Sequence, residues 1–210
     1  DASKIAAPTP VWTTPEALGR VLVTGCAGRV GRAVSEYLVL QGFKVRGFDR
    51  QVRPVSLLPG VHSDIFEYVR GDLGDAASLK SVVDGCHAVC HFAAVPDDAD
   101  FEQILCPVNV VGVNRLLDAC REGGIKRLVI ASSGKIFFHR ADNFPICVDD
   151  PPKIACNYGA TKLFLEGLTE VFAQDPAGCP TVVLRFAWCP FAREDVEAME
   201  SCTSPGQGRD

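Results

Sequence analysis

Thr24-Gly25-Cys26-Ala27-Gly28-Arg29-Val30-Gly31 is the stretch whose reading decides the fold. Ahead of it runs Arg20-Val21-Leu22-Val23-Thr24, short, apolar and β-branched, which reads as a buried strand. Behind it Val30, Val34, Tyr37 and Leu38 recur at the i, i+4, i+7, i+8 spacing of one helix face. The local order is strand, glycine turn, helix. Gly25, Gly28 and Gly31 at such a junction permit a tight turn, close approach of a ligand to bare backbone, and close packing of helix on strand. Backbone N–H groups at the helix start then face the ligand, and the group that suits them is a pyrophosphate.

A second strand, Lys44-Val45-Arg46-Gly47-Phe48, ends in Asp49, at the distance from the glycines where an acid meets the ribose 2′-OH of a dinucleotide. That acid favours NAD. Arg50 and Arg53 follow it, and an arginine here can pair with the 2′-phosphate of NADP, which keeps NADP open. Four further strands follow: Tyr68-Val69-Arg70 into Gly71-Asp72-Leu73, Ala88-Val89-Cys90-His91-Phe92 into Ala93-Ala94, Arg127-Leu128-Val129-Ile130-Ala131 into Ser132-Ser133, and Thr181-Val182-Val183-Leu184 into Arg185. Helical stretches are expected around residues 76–83, 110–120 and 158–172. Strands alternating with helices define an α/β, Rossmann-type, doubly wound parallel sheet with helices on both faces. The carboxyl ends of its strands should line one crevice.

Ser133 lies at one of those strand ends, and Tyr158-Gly159-Ala160-Thr161-Lys162 opens the helix that follows. Hydride transfer at a carbinol carbon needs a partner for the hydroxyl proton, while the redox step belongs to the nicotinamide. A phenol has a pKa near 10, so a cation must favour its ionised form before it can act as a base. Lys162 is four residues past Tyr158, one turn along the same face, which lets its ammonium approach both the phenol and a cofactor ribose. Ser133 can hold the substrate oxygen within reach of Tyr158.

Seven segments in a fixed order now carry a resemblance: residues 24–31, Gly71-Asp72-Leu73, residues 91–94, 109–114 and 131–133, Tyr158-Gly159-Ala160-Thr161-Lys162, and Leu184-Arg185-Phe186. Over residues 20 to 190 the chain resembles the extended short-chain dehydrogenase/reductases of the NAD-dependent epimerase/dehydratase group. The resemblance implies that Gly25, Ala27, Gly28, Arg29, Val30 and Gly31 hold the pyrophosphate and Asp49, with Arg50 beside it, the adenine ribose. It places Asp72 and Leu73 at the adenine, Ala93 and Ala94 at the ribose and nicotinamide side, and Asn109 on a helix near the nicotinamide. Ser133, Tyr158 and Lys162 become the catalytic group, with Tyr158 and Lys162 also touching the cofactor. The implied activity is NAD(P)-dependent epimerisation or oxidation of a sugar or nucleotide sugar, with pairing into a homodimer through the two long helices.

The departures concern the substrate. Family members that eliminate water place Asp-Glu after the catalytic Ser or Thr; here Gly134-Lys135 follows Ser133, so the acid and base a dehydratase needs are missing. Phe137-Phe138 and Trp188 replace residues that usually face the substrate. The segments at 131–133, 158–162 and 184–190 also resemble uronate dehydrogenases, which oxidise a sugar acid without epimerising it. Because family members continue into a smaller domain that closes over the substrate, the resemblance implies that this domain is missing here or supplied elsewhere. A dinucleotide-binding module that does not turn over is the alternative.

A length of 210 residues with 47% hydrophobic content suits one domain with a sizeable core. Residues 1–19, with three prolines, read as a flexible leader, residues 20–191 as the dinucleotide-binding domain, and the polar residues 192–210 as a disordered tail. A net charge of −5 argues against nucleic-acid binding, and no apolar run is long enough to span a membrane. We expect a cytoplasmic protein. Ten cysteines are many, yet Cys90, Cys120 and Cys189 fall in expected sheet or helix interiors, where they act as small hydrophobes. Cys86-His87 and Cys90-His91 alternate along a strand and do not converge on a metal. Cys26, near a helix start, reads as an inert packing group, with a lowered pKa as the alternative, and Lys135 and Arg140 read as solvated loop cations, with a phosphate or carboxylate contact as the alternative.

Overall fold

The computed structural model describes residues 19–137, 146–187 and 189. The expected leader and tail, Arg140, Phe138 and Trp188 therefore lie outside the described residues, except for Gly19. Six strands, β1 (Arg20–Thr24), β2 (Lys44–Asp49), β3 (Phe66–Arg70), β4 (Cys86–His91), β5 (Arg127–Ser133) and β6 (Thr181–Phe186), form one sheet in the order β3-β2-β1-β4-β5-β6. Every pairing is parallel. All six are strands that the sequence pattern predicts.

Burial on both faces explains the unbroken apolar runs. In β1, Leu22 joins one core while Val21 and Val23 join the other, as the strand's two-residue period requires. The larger core, built on Leu22, Phe48, Val89, Leu128 and Ile130, is covered by α2 (Ala76–Val83), α3 (Val113–Glu122) and α4 (Asn157–Gln174) through residues such as Leu79, Leu116 and Leu165. The opposite core is covered by α1 (Arg29–Leu40) and by Leu57 and Leu58 from the connection between β2 and β3. Among the described residues no helix is long and apolar enough to cross a membrane.

Two expectations are corrected. The face that α1 buries is Gly31 and Ser35, with Leu38 and Val39 packed beside them, whereas Tyr37 of the apolar stripe is exposed. Small residues let the helix lie against the glycine turn, and Ser35 satisfies its hydroxyl on the Gly31 carbonyl at 2.7 Å. The helical stretch expected from residue 110 begins instead at Phe101, as a wide, π-type helix (Phe101–Gly112) running straight into α3. Pro107 lies inside it and has no N–H to give; wide turns such as Leu105 N–H to Asp100 carbonyl at 3.0 Å carry the chain through.

The order of strand addition switches sides between β1 and β4: the sheet grows outward from β1 to β3, then resumes on the other side of β1. This switch point opens a crevice at the strands' carboxyl ends. It is where Thr24 and His91 stand in register.

Candidate active site

The glycine turn is a cradle built by exclusion. Gly25 has φ +72°, and a Cβ on it would come within 2.6 Å of the Ala93 nitrogen, so the turn abuts the end of β4. A Cβ on Gly31 would collide with the Gly25 carbonyl oxygen, which is why α1 can start so close to the turn. Gly28 precedes α1 in extended conformation, and no side chain caps the helix start. An uncapped first turn beside bare glycine backbone suits a phosphate. Val30 is half-buried at the helix start, and the Arg29 guanidinium donates to the Cys189 carbonyl at 2.8 Å, tying the turn to the segment after β6.

Asp49 is buried at the end of β2, next to this cradle, accepting from the Ala27 N–H and the Gln51 N–H, each at 3.0 Å. A fixed carboxylate here welcomes a ribose hydroxyl and repels a 2′-phosphate. Arg50 is exposed, with its carbonyl accepting from Arg70. Arg53 is turned away: its guanidinium donates to the Leu57 and Leu58 carbonyls and lies over the Phe66 ring at 5.1 Å. Asp72 is exposed and accepts from the Gly74 N–H at 2.7 Å, while the Leu73 side chain is buried in the core.

Beyond the turn, the Thr24 hydroxyl is bonded to His91 Nδ1 at 2.7 Å and accepts from the Ala93 N–H at 3.4 Å, pinning the start of the Ala93-Ala94 segment. His91 is fully buried, and burial, with the Lys162 charge, pushes its pKa down to about 3, so the imidazole is neutral. Asn109, on the wide helix, is also buried. Its amide accepts from the Val95 N–H at 2.8 Å and donates to the Val95 carbonyl at 3.1 Å and to Thr161 Oγ1 at 3.3 Å. Asn109 thus acts on the crevice through the loop after Ala94 and through α4, its amide already fully engaged.

The three residues expected to form a proton relay meet across the crevice. Ser133 ends β5, accepts from the Lys135 N–H at 3.2 Å, and is hydrogen-bonded to Tyr158. Tyr158 is 8% exposed at the start of α4, whose first turn is capped twice: Asp98 accepts the Tyr158 N–H at 3.0 Å and Cys156 Sγ the Gly159 N–H at 3.4 Å. Lys162 is 3% exposed, donates to the Ala131 carbonyl at 2.8 Å, and places Nζ 5.7 Å from the Tyr158 ring centre. Burial pushes Lys162 down to about 8. Burial also raises Tyr158, opposed by the Ser133 hydrogen bond and the Lys135 charge.

Several participants escape a reading of the sequence. Asp97 and Asp98 sit in a polar loop with no periodicity to single them out. Glu166 had a usable signal, because 158, 162 and 166 share one helix face. Its carboxylate receives Ser132 Oγ at 2.5 Å and is held in a two-pronged pair by Arg185, at 3.0 and 2.9 Å. Burial alone would raise Glu166, but the Arg185 and Ser132 hydrogen bonds outweigh it and hold the carboxyl below its usual range. Cys26 is an inert packing group, and the alternative of a lowered pKa fails: burial, with Asp49 nearby, pushes its thiol up to about 12. Cys189 lies past the end of β6, outside the sheet. Among the described residues no three His, Cys, Asp or Glu side chains gather as a metal-ligand set.

The chain belongs to the NAD-dependent epimerase/dehydratase family, whose model matches residues 21–188. Uronate dehydrogenase of Pseudomonas putida is 34% identical over 174 residues, covering 82% of this chain and 61% of that protein. MoeE5, solved in complex with UDP-glucose and NAD, aligns with a TM-score of 0.71 at 32% identity over 80% of this chain and 54% of its own. A short-chain dehydrogenase/reductase superfamily protein from Agrobacterium tumefaciens, solved with bound NAD, gives a TM-score of 0.69 at 40% identity over 80% of this chain and 48% of its own. The chain spans about three fifths of the length of the uronate dehydrogenases it matches.

Proposed function

We propose that this chain carries the NAD site and proton relay of an oxidoreductase acting on a carbinol of a sugar or nucleotide sugar. The observation that carries the reading is the convergence of Ser133, Tyr158 and Lys162 beside the glycine cradle at one switch point. Gly25, Ala27, Gly28, Arg29, Val30 and Gly31 receive the pyrophosphate. Asp49 takes the adenine ribose and selects NAD over NADP. Asp72 and the Leu73 backbone meet the adenine, while Ala93 and Ala94, held in place by Thr24 and Asn109, flank the nicotinamide side. Bound NAD supplies the hydride acceptor. Ser133 orients the substrate hydroxyl, Tyr158 takes its proton as the carbon is oxidised, and Lys162 favours the phenolate. Gly134-Lys135 supplies no second acid and base, so the reading excludes dehydration.

Uronic acids are the first substrates to try, given the likeness to uronate dehydrogenase, with nucleotide sugars next. NAD at a hundredfold excess over its dissociation constant is expected to stabilise the fold by about 2.7 kcal/mol, roughly a 5–10 °C rise in melting temperature, with a smaller rise for NADP. The same preparation should reduce NAD when a uronic acid or nucleotide sugar is added. A larger NADP shift overturns the cofactor assignment; an NAD shift without consumption of either sugar class leaves a binding module and rejects the enzyme.

We further infer a cytoplasmic homodimer. Nine described cysteines are all free, as in a reducing compartment. On α4 and just before it, Ile154, Phe164 and Val171 are exposed, and Phe101, Ile104 and Val111 are exposed on the wide helix. These apolar surfaces on the two long helices fit a second copy. Sedimentation velocity should give a dimer that Phe164→Asp converts to monomer; a wild-type monomer at all concentrations rejects the pairing.

A further inference from the structure

Lys135 reads in sequence as a solvated loop cation or a contact for a phosphate or carboxylate, and the structure places it on a carboxylate of this chain, Asp97. Lys135 sits in the 3-10 turn Gly134–Phe137, directly after β5, and this turn is anchored on several sides. Ile136 and Phe137 are buried, and the Ile136 carbonyl accepts from the Lys153 N–H at 2.7 Å. A Cβ on Gly159 would come within 3.1 Å of the Lys135 carbonyl oxygen, so α4 packs directly on the turn. The Lys135 N–H is spent on Ser133 Oγ. From this fixed base the side chain folds back over the crevice, where Nζ meets Asp97 at 2.6 Å and stands 5.6 Å from the Tyr158 ring centre.

One phenol is therefore flanked by two ammonium groups at nearly equal distance, from different elements. Lys162 approaches from the interior and is buried; Lys135 approaches from the mouth and is 35% exposed. We propose that Lys135 is a second cation for Tyr158, a positioning residue held against the ring by Asp97, which stabilises the phenolate from the open side of the crevice. This rests on the reading of Tyr158 as proton acceptor.

The two lysines are not redundant. Burial lowers Lys162 to about 8, so it loses charge in the range where a phenol must ionise, whereas its hydrogen bond to Asp97 raises Lys135 and keeps it cationic there. The groups facing Tyr158 are Ser133 from β5, Lys135 from the turn, Asp97 and Asp98 from the loop after β4, and Cys156 and Lys162 from α4 and its cap. The Lys135 charge pulls the Tyr158 pKa down, adding to the Lys162 ammonium 5.7 Å from the ring centre on the buried side. Removing Lys135 leaves the Asp97 carboxylate, which opposes ionisation.

The test is the pH profile of kcat/KM for NAD-dependent oxidation in the wild type and in Lys135→Arg, Lys135→Gln and Lys135→Glu. Because the phenolate is the active form, loss of the cation raises the Tyr158 pKa and moves the rising limb to higher pH. Lys135→Gln is expected to lose about three- to tenfold below the limb and nothing on the plateau, Lys135→Glu more, and Lys135→Arg is expected to restore the wild-type limb. Limbs that coincide, or a loss equal at every pH, overturn the proposal. NMR titration of ring-labelled tyrosine, with Tyr158 assigned by its absence in Tyr158→Phe, reads the same order without any substrate. Charge-ordered titration in a protein that never turns over upholds this inference and rejects the proposed enzyme; turnover with unordered titration does the reverse.

Discussion

Tyr158→Phe is expected to lower substrate-dependent NAD reduction by about 10²- to 10⁴-fold while leaving the NAD-induced rise in melting temperature intact. The substitution removes one oxygen atom and keeps the ring that packs under both lysines. What disappears is the group that accepts the carbinol proton and its bond to Ser133. The fold should tolerate the change, because the anchors of α4 at this point are backbone ones: Asp98 and Cys156 accept from N–H groups that phenylalanine retains. Steady-state assays beside thermal shifts separate the two effects. Equal rates in variant and wild type would remove Tyr158 from the mechanism.

Gly31→Val should damage both the fold and the cofactor site, because the same atoms serve both. A side chain here meets backbone: the Gly25 carbonyl oxygen, the Gly25 carbonyl carbon at 2.7 Å and the Cys26 Cα at 3.1 Å. None of these can rotate away as the tip of a lysine could. Gly25 cannot retreat either, since it already presses on Ala93 and holds a left-handed conformation. Helix α1 must lift from the turn, withdrawing the amides that face the phosphates and loosening the contact with Val21, Val23 and Val45. A destabilisation of about 2–4 kcal/mol in urea unfolding is expected, with NAD affinity reduced at least ~10-fold. Unchanged midpoints, or a normal NAD shift in the surviving fold, would show that the turn has slack.

Both variants probe parts that the sequence made legible, and the reasons are physical. A parallel sheet buried on two sides leaves continuous apolar runs, so all six strands could be found from Val21-Leu22-Val23 and its counterparts. Glycines that prevent a collision, and a Tyr and Lys one helical turn apart, are fixed by local geometry, which sequence spacing records. The failures have a common source in contacts between distant segments. The buried face of α1 is small rather than apolar, because proximity to the turn decided it, and an apolar stripe misleads there. The place of Cys26 near a helix start left a reactive thiol open as an alternative, which fails because β2 brings Asp49 beside it and the core removes its water. Asp97 and Asp98 return to Lys135 and Tyr158 across the crevice, and nothing in Pro96-Asp97-Asp98-Ala99 announces that. The start of the wide helix was hidden because turns of that width lack the 3.6-residue rhythm.

Glu166 stands one turn beyond Lys162 on the face that carries Tyr158, the spacing at which a carboxylate and an ammonium ordinarily pair. Here Ser132 and Arg185 occupy both of its oxygens, and burial is the cause of the Lys162 shift. Adjacent serines at the end of β5 split the space: Ser133 faces Tyr158, while Ser132 faces Glu166. The second serine, the glutamate and the arginine behave as electrical insulation, absorbing a negative charge that would otherwise pair with the ammonium, which in the proposed function serves a ribose and a phenolate.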